Sequence, residues 1–168
     1  MAAAKAEDLV ELIDMSAVEC LNQDSNHPVM NVFQPNTDLY LASAEDVDHQ
    51  LLIKVSFRQP VKLTAIAFRA CSEDESAPQE VKIFLGKVDH GFSDADSEEP
   101  TQALVLTADQ VDKAEPVPLR FVKFQNVSTI QIFVDTNFGA DQTKIQQLQF
   151  FGQTAEKMDM KDFKPIKG

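Results

Sequence analysis

Between Leu51 and Phe151 the sequence is a succession of short β-rich runs separated by turn-forming residues, and no helix-length periodic segment interrupts it. Such a chain is poorly suited to a parallel α/β sheet, because each parallel crossover needs a dozen or more residues, usually helical. The expected architecture is an all-β antiparallel β-sandwich of the jelly-roll kind, with short helical turns. At 168 residues the chain can bury a core without disulfides or metals. One domain over residues 1–154 is expected, followed by an irregular tail over residues 155–168.

The first strong run alternates Leu51, Ile53, Val55 and Phe57 with Lys54, Ser56 and Arg58, and Gln59-Pro60 is expected to turn the chain. In the next run Val61 and Leu63 share one phase while Ile66 and Phe68 share the other. A one-residue β-bulge near Thr64 or Ala65 would keep all four inward. The acidic segment Ser72 to Ala77 ends that strand, and Val81, Ile83 and Leu85 begin another that closes at Gly86. Ala103 to Leu106 is a strand candidate. Thr107-Ala108-Asp109-Gln110 has the capping-box form that starts a short helix, which Pro116 and Pro118 stop.

Two further runs, Leu119 to Phe124 and Thr129 to Asp135, are expected to pair as a hairpin across Gln125-Asn126-Val127-Ser128. In the second, Ile130, Ile132 and Val134 share one face, and Phe133 interrupts an otherwise polar opposite face. The first is apolar on both sides, Leu119 and Phe121 against Val122 and Phe124, which predicts a central strand covered on each face. On that expectation Phe121→Ala would cost about 3–5 kcal/mol. Asn137-Phe138-Gly139 forms a turn, and Ile145 to Phe151 supplies a last strand ending at Gly152.

Upstream, Ala6 to Ile13 fits either a short amphipathic helix or an extended segment packed on a sheet. Asn22 to Asp48 is polar loop with one short strand, its core contacts supplied by Val29 to Phe33 and Leu39 to Leu41. Between His90 and Pro100 the run S-D-A-D-S-E-E is expected to be a solvated excursion held open by like charges. It lacks the glycine that the sharp turn of an EF-hand calcium loop requires.

With 27 acidic against 15 basic side chains the formal charge is -12, which repels a phosphate backbone and argues against a nucleic-acid partner. Cys20 and Cys71 form no C-x-x-C and are expected to be reduced structural thiols. His27, His49 and His90 lie in separate segments without partners at ligand or triad spacing. No nucleophile elbow, Walker loop or dinucleotide fingerprint is present, so the sequence calls for no catalytic residue, metal or cofactor. The N-terminus has no signal-peptide pattern and no run approaches a membrane span, so a soluble intracellular protein without a membrane partner is expected. Arg120 and Lys123 stand among aromatics in the expected central strand. They line a ligand groove there, or their aliphatic stems cover apolar surface while the charges reach water. The tail from Glu156 to Gly168 holds four lysines against three acids, and Met158, Met160, Phe163 and Ile166 give it an amphipathic look.

The order of these motifs resembles the PITH domain, the C-terminal module of thioredoxin-like proteins that associate with the proteasome. The match is carried by I-D-M-S-A-V-E-C-L-N-Q at Ile13 to Gln23, Q-L-L-I at Gln50 to Ile53, and E-P-T-Q-A-L-V-L-T at Glu99 to Thr107. It continues in P-L-R-F-V-K-F-Q-N-V at Pro118 to Val127, I-F-V at Ile132 to Val134, and M-K-D-F-K at Met160 to Lys164. There are two departures from the family pattern. His49 stands where an acidic residue is expected, and Ala70-Cys71 stands in place of Gly-Pro.

The resemblance implies a jelly roll similar to galactose-binding-like domains and a non-catalytic, monomeric interaction module of the cytoplasm and nucleus. Its implied partner is the regulatory particle of the proteasome. Redox activity in two-domain relatives belongs to a thioredoxin domain bearing C-x-x-C, so this chain resembles a stand-alone PITH protein or the C-terminal half of a larger one. Candidate partner contacts are the loops at one end of the sandwich and, in the tail, Met158, Met160, Lys161, Phe163, Lys164 and Lys167. The alternative is a small-ligand or carbohydrate-binding galactose-binding-like domain. The absence of tryptophan and the single tyrosine, Tyr40, weigh against it, since sugar sites stack an aromatic on the ring.

Overall fold

The computed structural model describes residues 7–34, 38–44, 48–86 and 91–154, and the expectations for residues 155–168 lie outside these. Three short strands come first: β1 (Glu7–Asp8), β2 (Glu19–Leu21) and β3 (Leu41–Ala42). The long β4 (Leu51–Arg69) follows, then β5 (Glu80–Leu85), helix α1 (Phe92–Ser97), β6 (Gln102–Val105) and helix α2 (Ala108–Asp112). The chain continues through β7 (Val117–Pro118), β8 (Val127–Val134), β9 (Lys144–Ile145) and β10 (Gln147–Thr154). Single 3-10 turns occupy Val10–Leu12, Met15–Ala17, Val29–Phe33 and Phe121–Lys123.

The 19-residue β4 belongs to two layers. Its first half lies between β2 and β8, and β5 and β6 extend that layer; its second half lies between β10 and β7, with β1 beyond β10. Every one of these pairings is antiparallel, so the fold is the expected all-β sandwich, curled around a shared corner strand. Ile53, Val55, Ile83, Ile130 and Ile132 from one layer meet Leu63, Ile66, Leu148 and Phe150 from the other in one buried cluster. Across it Phe57 meets Phe150 edge to face, with ring centroids 5.6 Å apart.

Two features let β4 turn this corner. Gln59-Pro60 does not end the strand as expected. Pairing with β8 skips from Ser56 to Val61, so the N–H that Pro60 lacks falls in the gap of the ladder. The second feature is the expected bulge. Phe151 pairs with Ala65 and Gly152 with Leu63, leaving Thr64 as the extra residue, and Val61, Leu63, Ile66 and Phe68 are all buried. A Cβ at Gly152 would sit 1.8 Å from the Lys62 carbonyl oxygen, so the crossing admits only glycine. β10 continues past Gly152 to Thr154, beyond the expected end of the last strand.

The strand covered on both faces is β8. Ile130, Ile132 and Val134 join the main cluster, while Phe133 packs outward with Leu52, Phe84 and Ala95. Ala95 lies on α1, which replaces the solvated excursion expected for the acidic run. The Gly91 N–H donates to the Asp94 carboxylate at 3.1 Å, and Phe92 meets Phe133 edge to face at 6.0 Å. The capping box of α2 is as expected: the Gln110 N–H donates to Thr107 Oγ1 at 3.2 Å, and the Thr107 N–H to Gln110 Oε1 at 2.9 Å. The N-terminal segment takes a short piece of each of its two open forms, with β1 extended on β10 and Val10–Leu12 as a 3-10 turn.

Leu119 to Phe124 is not the expected central strand, nor half of a hairpin with β8, whose partners are β4 and β5. Along β4, Val117 pairs with Ile66 and Pro118 with Ala65. The Leu119 N–H then donates to the Thr64 carbonyl, and the Leu63 N–H to the Phe124 carbonyl, both at 2.9 Å. Leu119 and Phe124 thus serve adjacent residues of β4, and the four residues between them are extruded as a 3-10 turn. Leu119 and Phe124 are buried, whereas Phe121 is 51% and Val122 80% exposed.

Gly152→Ala is expected to lose about 1–3 kcal/mol or more in urea denaturation, because the clash is with main chain and no rotamer relieves it. Phe124→Ala is expected to cost about 3–5 kcal/mol. Phe121→Ala should stay within about 1 kcal/mol of the parent. Equal losses at the two phenylalanines would contradict the extruded turn.

Candidate interaction surface

The extruded turn is held by its main chain. The Lys123 N–H donates to the Arg120 carbonyl at 2.9 Å and the Phe124 N–H to the Phe121 carbonyl at 3.1 Å. The Arg120 N–H donates to Gln102 Oε1 at 2.7 Å, and Gln102 Nε2 donates to the Pro118 carbonyl at 3.3 Å, tying the turn to β6. From the other side Gln125 Nε2 donates to the Phe121 carbonyl at 2.9 Å. None of these bonds uses the side chain of residues 120–123, which are all exposed. Lys62 Nζ lies 5.5 Å from the Phe121 ring centroid. Arg120 and Lys123 are therefore not strand cations lining a sheet groove. They flank a protruding aromatic-aliphatic pair. Among the described residues the exposed large hydrophobics are Leu21, Leu39, Val105, Phe121 and Val122, and only the last two are neighbours in sequence.

The loop end of the sandwich carries a small cleft of about 160 Å³ lined by Tyr40, Cys71, Asp74, Ser76, Lys144 and Gln146. The Ser76 hydroxyl, 2.6 Å from the Asp74 carboxylate, holds that carboxyl below its ordinary range, with help from the Ser76 N–H and the charge of Lys144. His27 stacks on Tyr40 with centroids 4.1 Å apart and planes 13° from parallel, and Lys144 Nζ stands 5.4 Å over the same ring. The Tyr40 ring of this cleft is thus already in contact with an imidazole and an ammonium.

Among the described residues the remaining chemistry-bearing groups are not brought together. His49 Nε2 lies 3.1 Å from the Asp135 carbonyl and donates to it, which fixes its tautomer, and His90 is outside the described residues. Cys20 is paired into the sheet through β2, and burial pushes its thiol up to about 12. Among the described residues no group of three or more His, Cys, Asp or Glu side chains could hold a metal ion, and no helix is long and apolar enough to cross a membrane. Ala70, one of the two departures from the family pattern, donates its N–H to the Val111 carbonyl at 2.9 Å, so the loop after β4 is pinned to α2. Met158, Met160, Lys161, Phe163, Lys164 and Lys167 lie outside the described residues. Sequence reasoning missed the extruded turn, because its apolar residues look like those of a buried strand.

A family model described as the PITH domain matches residues 1–168. The chain is 38% identical over 145 residues to Thioredoxin-like protein 1 of Schizosaccharomyces pombe, covering 84% of this chain but 49% of that protein, about half its length. It is 32% identical over 152 residues to PITH domain-containing protein 1 of Danio rerio, covering 89% of this chain and 71% of the relative. Among solved structures it is similar to the family 32 CBM of Clostridium perfringens NanJ in complex with galactose, with a TM-score of 0.63 at 11% identity, covering 88% of this chain and 99% of that one. Another C. perfringens module, CpGH89CBM32-5 in complex with GalNAc-β-1,3-galactose, gives 0.65 at 6% identity over 87% of this chain and 100% of its own. These likenesses show that the chain shares the β-sandwich fold of those modules.

A thiol reagent at pH 8 is expected to modify Cys71 faster than Cys20 in the native protein, because both are partly exposed but burial of the Cys20 thiol disfavours its thiolate. The stabilisation from keeping Cys20 protonated is full below its ordinary value of 9.0 and is lost as pH rises toward about 12. Native labelling of both thiols at equal rates would contradict the burial of Cys20.

Proposed function

The chain belongs to the PITH domain family, and on that premise we propose that it is a non-catalytic protein-interaction module that associates with the regulatory particle of the proteasome. The observation that carries this reading is the exposed Phe121-Val122 pair on a turn braced by main-chain bonds. A well-sealed core that presents an aromatic and a branched aliphatic to solvent has the form of a protein-binding anchor. The lysine-containing tail supplies a second candidate contact through Met158, Met160, Lys161, Phe163, Lys164 and Lys167, with Phe163 as its aromatic. The setting is the cytoplasm and nucleus, with the chain acting as a monomer. The carbohydrate-binding alternative has the likeness of fold in its favour, but fold does not carry function, and one face of the Tyr40 ring is taken by His27.

Titration of the labelled full chain against purified regulatory particle tests the reading. Saturable binding is expected at low salt, weakening as ionic strength rises through roughly 0.3 M. No binding at low salt would overturn it. A variant ending at Gln153 is expected to bind more weakly, and equal binding would remove the tail from the contact.

A further inference from the structure

We infer that the Arg120–Lys123 turn is the docking element of this module, and that it seats Phe121 and Val122 in an apolar pocket rimmed by carboxylates on a protein of the regulatory particle. The inference rests on the function proposed above and adds the chemistry of the partner. Its first ground is rigidity. The bonds that shape the turn come from main chain, Gln102 and Gln125, so Phe121 and Val122 are presented without further ordering of backbone on binding.

Charge complementarity is the second ground. On a chain of net charge -12, the cations Arg120 and Lys123 flank the apolar pair and Lys62 lies over the Phe121 ring. An acid-rimmed pocket is repelled by the acidic body as a whole and attracted where these cations stand, so charge selects the orientation while the apolar pair supplies the contact.

The test uses the full chain and three variants: Phe121→Ser with Val122→Ser, Arg120→Glu with Lys123→Glu, and Val105→Ser as an exposed apolar control on β6. Melting temperature and Kd for purified regulatory particle are measured at low and moderate salt. The serine pair is expected to melt as the parent does and to raise Kd by at least about tenfold at both salt concentrations. The glutamate pair is expected to raise Kd most at low salt and to flatten the salt dependence, and Val105→Ser to leave Kd unchanged. If both pairs bind within about threefold of the parent, which itself binds, the turn is not the docking element and the proposed function stands. If the parent does not bind, both fall together. Vesicles containing phosphatidylserine and sedimentation across a concentration series form the remaining arms. Vesicle binding or dimerisation that the serine pair abolishes would reassign the turn and overturn the inference.

Discussion

The backbone of β4 has to serve two layers, and the rest of the structure follows from how it does so. A strand with one phase along its whole length would bury Val61 and Leu63 and turn Ile66 and Phe68 outward. The extra residue at Thr64 restores the phase, and Gly152 lets β10 cross at the bulge where any Cβ would meet the Lys62 carbonyl. The bulge also decides what happens on the opposite edge. There Thr64 accepts from Leu119 and Leu63 donates to Phe124, so adjacent β4 residues are served by residues five apart in sequence. The intervening Arg120–Lys123 segment has no place in the ladder, and the surface turn is a consequence of the corner.

What was legible in the sequence was whatever has a local cause. The phase conflict between Leu63 and Ile66, the box Thr107 to Gln110 and the strand ending at Gly86 each depend on a few neighbouring residues, and each forms as expected. What was not legible depended on partners far along the chain. Pro60 looks like a turn until β8 is known to skip that stretch of ladder. The acidic run looks solvated until Ala95 is seen against Phe133, and one alanine among carboxylates is a faint signal. Leu119 to Phe124 has strand-like composition on both faces, and only the β4 edge shows which of its apolar side chains go in. Of the candidate site, the sequence points to Arg120 and Lys123, but its apolar composition places Phe121 in the core.

The fold resembles modules solved with sugars bound, yet the loop end of this chain is arranged differently from an open aromatic platform. Tyr40 lies against His27 on a ring face and beneath the Lys144 ammonium, while Asp74 is committed to Ser76. A sugar stacking on the ring face that His27 covers would have to displace the imidazole, giving up one favourable ring contact for another. A shared sandwich fixes where loops converge; side chains on those loops decide what they hold.

Free energy gives the extruded turn its significance. Burying a side chain such as Phe or Val is worth about 1.5–3 kcal/mol, so a half-exposed Phe121 and a largely exposed Val122 leave about 2–3 kcal/mol of apolar burial unrealised in the free chain. That shortfall is small beside the stability of a domain, so the fold tolerates it. In a complex the same quantity corresponds to roughly 30- to 150-fold in affinity, since each 1.4 kcal/mol is a factor of ten. It can be recovered nearly whole only if the turn needs no ordering on binding, and the bonds from Gln102, Gln125 and the β4 edge provide that condition. The braces that force Phe121 and Val122 out of the core are therefore the same ones that make them suitable to be buried by something else.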